Sequence, residues 1–352
     1  MNTYNRKTVY LGIDVHKKTY AVTAICDGGV MKKTTMRAEP EGLVRYCEKF
    51  FPGAFIISAY EAGFCGFHLH RILIAAGINN LVVNPGDIEV NARNRVKTDK
   101  RDSLKIATQL AADRLHGIYI PSLEQELSRT ISRLRDSLVR QRSRLSCQMK
   151  NVLFLFGYIP YSEKLKVCPK WIEKILEKSY PEEIKYVLDA YVACWEFQTQ
   201  KIKEVEVELK KQAVTHKQIH EIYQSHPGIG LVSARTLANE LGDMSQFKNE
   251  RCLYSYTGLT PSEHSSGERR QLGHITHQGK AILRKILIQA AWIAIKYDES
   301  LALIYARISI TAGKRNAIVG VARRMIGRLR ACLRKNELYA IPKDADIDTI
   351  DA

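Results

Sequence analysis

The sequence has no Cys-x-x-Cys pair, no Cys/His cluster at zinc-finger spacing, and no apolar run near the roughly 20 residues of a membrane span. Its eight cysteines, at 26, 47, 65, 147, 168, 194, 252 and 332, are scattered, which points away from a disulfide scaffold and toward reduced thiols in a cytoplasm. Met1-Asn2-Thr3-Tyr4-Asn5-Arg6-Lys7 leads straight into a strand-like segment, without the apolar region of a signal peptide. Acidic residues are also scarce toward the end: from Arg269 to Lys335 only Asp298 and Glu299 occur. The whole chain carries a formal charge of +17 and a pI near 9.5, so a polyanion is the expected partner, and phosphate backbones are the first choice. Charge alone does not separate RNA from DNA.

At 352 residues the chain has room for two or three domains. Thr8–Val15, Tyr20–Cys26 and Met31–Met36 read as strands, with Asp27-Gly28-Gly29 as the turn between the last two. A helix over Glu41–Phe50, a strand over Ala54–Tyr60, a helix over Gly66–Ala76 and a strand over Asn80–Asn84 follow. Three meandering strands and then alternating helices and strands is the order of a ribonuclease-H-like domain.

Four carboxylates stand where structure alone gives them little to do. Asp14 follows the apolar run Val9-Tyr10-Leu11-Gly12-Ile13, and Glu61 follows Ala54-Phe55-Ile56-Ile57-Ser58-Ala59-Tyr60. Asp99 and Asp102 lie three apart at the head of the amphipathic stretch Ser103–Leu115, a spacing that puts both on one helix face. Converging like charges repel and lose hydration unless a hard divalent cation neutralises them. A magnesium site acting on phosphates is therefore the expectation. A cap or salt bridge accounts for any one of these acids singly; the combination, beside Lys97, Lys100 and Arg101, favours the metal.

Farther on, Leu127, Ile131, Leu134, Leu138, Leu145, Met149 and Val152 keep close to a four-three rhythm, and Leu188, Trp195, Ile202 and Leu209 repeat at seven. Two long helices, antiparallel or paired across a dimer, fit both runs, with Pro160–Pro181 as the connection. Arginines 129, 133, 135, 140, 142 and 144 either grip nucleic acid or line a solvated helix face. Ser225-His226-Pro227-Gly228-Ile229-Gly230 ahead of a helix over Leu231–Leu241 resembles a helix-hairpin-helix turn, whose amides meet a phosphate, although plain helix packing needs the same glycines. A helix from Gly279 to about Ala294 follows, and Arg323, Arg324, Arg328, Arg330 and Arg334 crowd a late helix, where much of the nucleic-acid electrostatics is expected. Ser262, Ser265 and Ser266 sit in a polar loop ending at Gly267, a setting in which most serines shape turns.

Tyr10-Leu11-Gly12-Ile13-Asp14-Val15, Tyr60-Glu61-Ala62, Asn84-Pro85 and Lys97-Thr98-Asp99-Lys100-Arg101-Asp102 resemble the N-terminal signature of DEDD transposases of the insertion sequence 110 family. Pro227-Gly228-Ile229-Gly230, Tyr256-Thr257-Gly258-Leu259-Thr260-Pro261, Ser265-Ser266-Gly267 and Gly273-His274-Ile275 resemble its C-terminal transposase domain. The resemblance implies an α/β plus α chain: a RuvC-like, ribonuclease-H-fold domain over 1–118, a coiled-coil helical linker over 119–220, and a mostly helical C-terminal domain over 221–345 with the helix-hairpin-helix-like segment. It implies that Asp14, Glu61, Asp99 and Asp102 bind Mg2+, or Mn2+ in its place, and that Ser266, directly before Gly267, is the nucleophile, with Ser265 its neighbour. It implies a recombinase of a bacterial or archaeal cytoplasm, associated with the nucleoid. Its partners would be donor DNA, target DNA and a bridge RNA, and its site would be composite between protomers of a homodimer or homotetramer, with no membrane involved. An unguided DNA invertase, a RuvC-like junction nuclease that uses water, and a non-enzymatic basic scaffold are the rivals. His264 and His277 carry no transferable role, and His274 is expected to support the loop.

Overall fold

Val9, Leu11 and Ile13 alternate with Tyr10, Gly12 and Asp14 along Thr8–Val15 (β1), giving the strand one wholly apolar face and one mixed face. In the computed structural model, which describes residues 4–89, 99–161, 166–263, 272–276 and 278–342 (side chains of 99, 100, 263 and 272 excepted), β1 is the centre of a five-stranded sheet. It pairs antiparallel with Thr19–Cys26 (β2), which pairs antiparallel with Gly29–Arg37 (β3). Asp27 and Gly28, at φ 50° and 77°, make the two-residue left-handed turn whose twist matches the strands it joins.

On its other side β1 runs parallel to Phe55–Glu61 (β4), and β4 runs parallel to Asn79–Val83 (β5), for the order β3-β2-β1-β4-β5. Parallel neighbours need crossovers, which Pro40–Phe50 (α1) and His68–Ala75 (α2) provide. Val9, Leu11 and Ile13 bury against Leu43, Cys47, Leu69 and Leu73 of these helices. Each such apolar side chain removed from water contributes about 1.5–3 kcal/mol. The opposite face packs Ala59 and Val83 against Ile106 and Leu110 of Asp99–Ala111 (α3). This mixed α/β sheet is consistent with the expected RuvC-like fold.

The chain divides into two compact units, Met1–Ile120 and Pro121–Ala352. The second is built on Leu123–Leu155 (α4) and Glu182–Thr215 (α6), with the short Pro169–Leu176 (α5) between them in sequence. Arg135 bonds Glu206 and Ser146 bonds Trp195, so α4 and α6 run antiparallel. Leu188, Trp195, Ile202 and Leu209, the sevenfold set, are all buried. On α4 the expected rhythm holds at Met149 but not in the first half, where Leu127 and Leu134 are 59% and 47% exposed. Polar residues take the inward positions there: Arg129 and Ser132 are buried and reach Asn239.

Lys217–Ser225 (α7), Leu231–Leu241 (α8), Glu250–Thr257 (α9), a hairpin of Pro261–Glu263 (β6) and Leu272–Ile275 (β7), Ala281–Ala294 (α10) and Glu299–Lys335 (α11, kinked at Gly313) complete this unit. Leu237, Leu241, Leu287, Val321 and Met325 share its main core.

Candidate functional site

Gly12 fixes the frame. A Cβ built there would lie 2.1 Å from the Ser103 carbonyl oxygen and 2.3 Å from the Ala107 nitrogen, so only glycine lets the α3 backbone press onto β1. Ser103 and Thr23 of β2 seal the contact with a buried hydroxyl–hydroxyl hydrogen bond of 2.9 Å. Asp102 is the residue immediately before that contact and is half-buried; Asp99 begins α3 one turn earlier.

Gly12 pairs with Ala59 and Ile13 with Tyr60, so Asp14 and Glu61 are the next residues on two adjacent parallel strands. Alternation puts both on the face that Gly12 offers to α3, at the carboxyl ends of the strands. Asp14 is mostly covered and lies 3.1 Å from the Nε2 of His16, a neighbour that sequence reasoning passed over although it sits two residues along. Glu61 is exposed. Topology thus brings the three acids to one margin of one sheet face. Their side chains do not close into a metal cage: among the described residues no group of three His, Cys, Asp or Glu is placed to hold an ion. The Asp99 side chain lies outside the described residues. The donor set is carboxylate oxygen throughout, which suits Mg2+ or Mn2+ rather than a soft metal.

Ser266, Ser265 and His264 lie outside the described residues, as does His277. The strands around that loop are described: Pro261 pairs with Ile275 and Glu263 with Leu272, so the segment between them leaves and returns at paired strand ends. Ser262 donates to the His274 carbonyl at 3.1 Å, and the Lys280 amide donates to the Tyr256 carbonyl at 3.0 Å, tying the hairpin to the end of α9. Burial, reinforced by the Arg133 charge, lowers the Lys280 ammonium below its ordinary value.

Several of the arginines offered for nucleic-acid contact are held in structural bonds. Arg133 makes a two-pronged pair with Glu240, which is 0% exposed, at 2.7 and 2.9 Å. Arg129 donates to the carbonyls of Asn239 and Glu240, Arg135 holds Glu206, and Arg140 pairs with Asp136. On α11, Arg330 is buried against the Phe247 carbonyl, and Arg328 binds Asp298 and the Tyr339 hydroxyl. Burial alone would raise the Asp298 carboxyl, but hydrogen bonds from Ser300, Tyr339 and the Leu301 amide, with the Arg328 charge, hold it below the usual aspartate value. His226 stacks on Tyr339 in the same cluster, and burial lowers its imidazole to about 4. Gly228 has a packing role: its Cβ would meet the Ala290 carbonyl oxygen at 2.3 Å. Gly230, exposed at the start of α8, has open space around it.

A family model of DEDD transposases of the IS110 group matches residues 11–157, and one described as Transposase IS116/IS110/IS902 family matches residues 220–306. The chain belongs to this family. It is 24% identical over 351 residues to the transposase for insertion sequence element IS1111A of Coxiella burnetii, covering 94% of this chain and 90% of that protein. It is 25% identical over 311 residues to the transposase for insertion sequence element IS1533 of Leptospira borgpetersenii, covering 82% and 85%. The Sinorhizobium fredii protein y4qE is 26% identical over 294 residues, 81% of this chain and 72% of its own length. The chain is therefore an insertion-sequence transposase, an enzyme that processes DNA, and the matched segments include Asp14, Glu61, Asp99, Asp102 and the loop of Ser266. No helix among the described residues is long and apolar enough to cross a membrane.

Proposed function

We propose that this transposase cuts and rejoins DNA by phosphoryl transfer, with Asp14, Glu61, Asp99 and Asp102 holding Mg2+ or Mn2+ and Ser266 as the nucleophile. The observation that carries the proposal is the placement of Asp14 and Glu61 at adjacent strand ends, on the face where Gly12 seats α3 beside Asp102. Divalent ions bound there would supply charge stabilisation to the phosphate oxygens. The carboxylates bind those ions, and the Gly12 contact keeps Asp102 beside the sheet. Ser266 Oγ forms a bond to phosphorus as the bond to the leaving strand's oxygen breaks; Oγ loses its proton and the departing oxygen gains one. One strand end remains on the protein as a phosphoserine. Attack by another strand's hydroxyl reverses the step, and strand exchange proceeds through a Holliday-junction-like intermediate.

The remaining parts of the proposal rest on family resemblance and charge. The 1–118 segment is the catalytic domain, α4 and α6 form the coiled-coil linker of 119–220, and 221–345 is the domain carrying Ser266. The acids and the serine meet between protomers of a homodimer or homotetramer. A bridge RNA pairs with donor and target DNA, so few side chains need to read bases.

The test is end-labelled donor DNA incubated with Mg2+ and the co-purified RNA, then run on a denaturing gel. Wild type leaves a covalent protein–DNA adduct. Ser266→Ala loses adduct and cleavage together, Ser265→Ala keeps both, and Asp14→Asn slows cleavage about 10²–10³-fold, in line with the several kcal/mol that metal-borne charge stabilisation supplies. Cleavage by Ser266→Ala without an adduct would identify water as the nucleophile and a junction nuclease instead. Sequencing of the co-purified RNA separates guided from unguided recombination.

A further inference from the structure

On the opposite side of the sheet from α3, β3 and α1 leave a cleft of about 510 Å³ between them. Its β3 wall is Lys32, Thr34 and Met36, alternate residues that share a face. Its α1 wall includes Arg45, Tyr46 and Lys49, which recur along one helical stripe. The lining holds four cations, Lys32, Arg37, Arg45 and Lys49, against one carboxylate, Glu39. Among the described residues none of these four is held in an ion pair, in contrast to Arg133, Arg135 and Arg328 of the second unit.

Two further features mark the cleft as built. The Lys32 ammonium stands 3.1 Å from the centroid of the Phe50 ring, a cation–π contact that holds the charge over the cleft wall. Tyr46 is only 8% exposed, yet its hydroxyl has no hydrogen-bond partner among the described residues. Burial pushes that phenol up to about 12, so it keeps its proton and remains a donor. The Tyr46 ring lines the same wall, 5.9 Å from the Lys32 ammonium, and the unpaired cations above it lack an acceptor rich in negative oxygen.

We propose that the β3–α1 cleft is a binding site for the phosphate backbone of a single nucleic-acid strand, separate from the acid margin. Leu43 and Cys47 of α1 pack against Val9, Leu11 and Ile13, whereas Gly12 and Asp14 belong to the other face of β1. The strand in the cleft is thus a different segment from the one presented to the acids, and the site serves to hold nucleic acid rather than to cut it. Arg45 and Lys49 contact phosphates, Lys32 is pre-positioned by Phe50, and the Tyr46 ring forms part of the wall beneath them. A groove of cations tracking a backbone binds without regard to sequence and weakens steeply with salt.

This inference rests on the chain being a nucleic-acid enzyme, not on the roles given to the four acids or Ser266. The test uses the full chain and two fluorescent mixed-sequence 20-mers, one single-stranded RNA and one single-stranded DNA, followed by anisotropy over a range of salt. Arg45→Glu/Lys49→Glu weakens binding about tenfold or more and reduces the slope of log affinity against log salt by about 1.4, the share of two phosphate contacts on a single strand. Arg45→Lys/Lys49→Arg retains binding, and the thermal midpoint of both variants matches wild type because the two side chains are exposed. Binding is read without divalent metal and without cleavage, so failure of the cleavage proposal and failure of this one are told apart. A loss confined to RNA assigns the cleft to a guide-type strand, and a loss confined to DNA assigns it to a displaced DNA strand. Unchanged affinity and slope for both would overturn the proposal, as would competition by polyglutamate equal to that of the oligonucleotides, which would make the cleft an acidic-peptide site.

Discussion

The α4–α8 joint and the β3–α1 cleft use positive charge in opposite ways. In Pro121–Ala352, several arginines are structural joints: Arg129 and Arg133 fasten α4 to α8 through Glu240, Arg135 fastens α4 to α6, and Arg328 anchors the buried Asp298. In Met1–Ile120, the cations of the β3–α1 cleft have no acidic partners among the described residues. A run of arginines in a sequence therefore says little about binding until its partners are known. A set of unpaired cations lining one cleft says more than a dense basic helix does.

The contrast is sharpest at Glu240. Glu240→Ala strips a buried carboxylate from Arg133 and Arg129, and unfolding in urea should show a loss of about 4 kcal/mol, the scale for breaking a buried pair. A loss below about 1 kcal/mol would return those arginines to the surface role first considered for them. In the first unit a backbone contact takes the equivalent part. Gly12→Ala drives a methyl into the Ser103 and Ala107 backbone, with an expected cost of about 3 kcal/mol, at the upper end of overpacking effects. The same urea titration checks it, and a neutral result would mean that α3 does not rest on β1.

The third effect is spread over pH. His226 has its pKa lowered from 6.5 to about 4, so the unfolded chain takes up a proton below pH 6.5 while the folded chain does not until about pH 4. Stability is full above pH 6.5 and falls by about 3 kcal/mol as pH drops through that window, at roughly 1.4 kcal/mol per pH unit. Asp298 works in the same direction at lower pH: its depressed carboxyl contributes above the usual aspartate value, and the contribution is lost as pH falls through the folded one. Asp298, Arg328 and Tyr339 surround His226, and His226→Gln should flatten the fall in urea midpoint between pH 7 and 4.5. An unchanged slope would remove His226 as its source.

Much of the first unit was legible because local signals and tertiary contacts agree there. Thr8–Val15, the Asp27-Gly28 turn, α1 and β5 fall close to where alternation and turn chemistry put them. The placement of Asp14 and Glu61 followed from their apolar runs. His16 was missed because it carries no pattern of its own. In the second unit the sevenfold run of α6 was legible, but the exposure of Leu127 and Leu134 was not, because it depends on Arg129 and Ser132 bonding α8 across more than a hundred residues of chain. Glu240, whose charge organises that joint, sits in an otherwise ordinary helix. Gly228 gave a binding signal, and its close approach to Ala290 supplies the packing reason.

The most direct test of the proposed acid site is Mn2+ titration of the full chain, followed by electron paramagnetic resonance, which reads metal uptake without reference to DNA cleavage. Wild type should deplete the free Mn2+ signal, Asp14→Asn should weaken uptake about tenfold or more, and Asp136→Asn, an acid paired with Arg140 on α4, should leave it unchanged. Uptake by Asp14→Asn equal to wild type would contradict the assignment of these carboxylates to a metal.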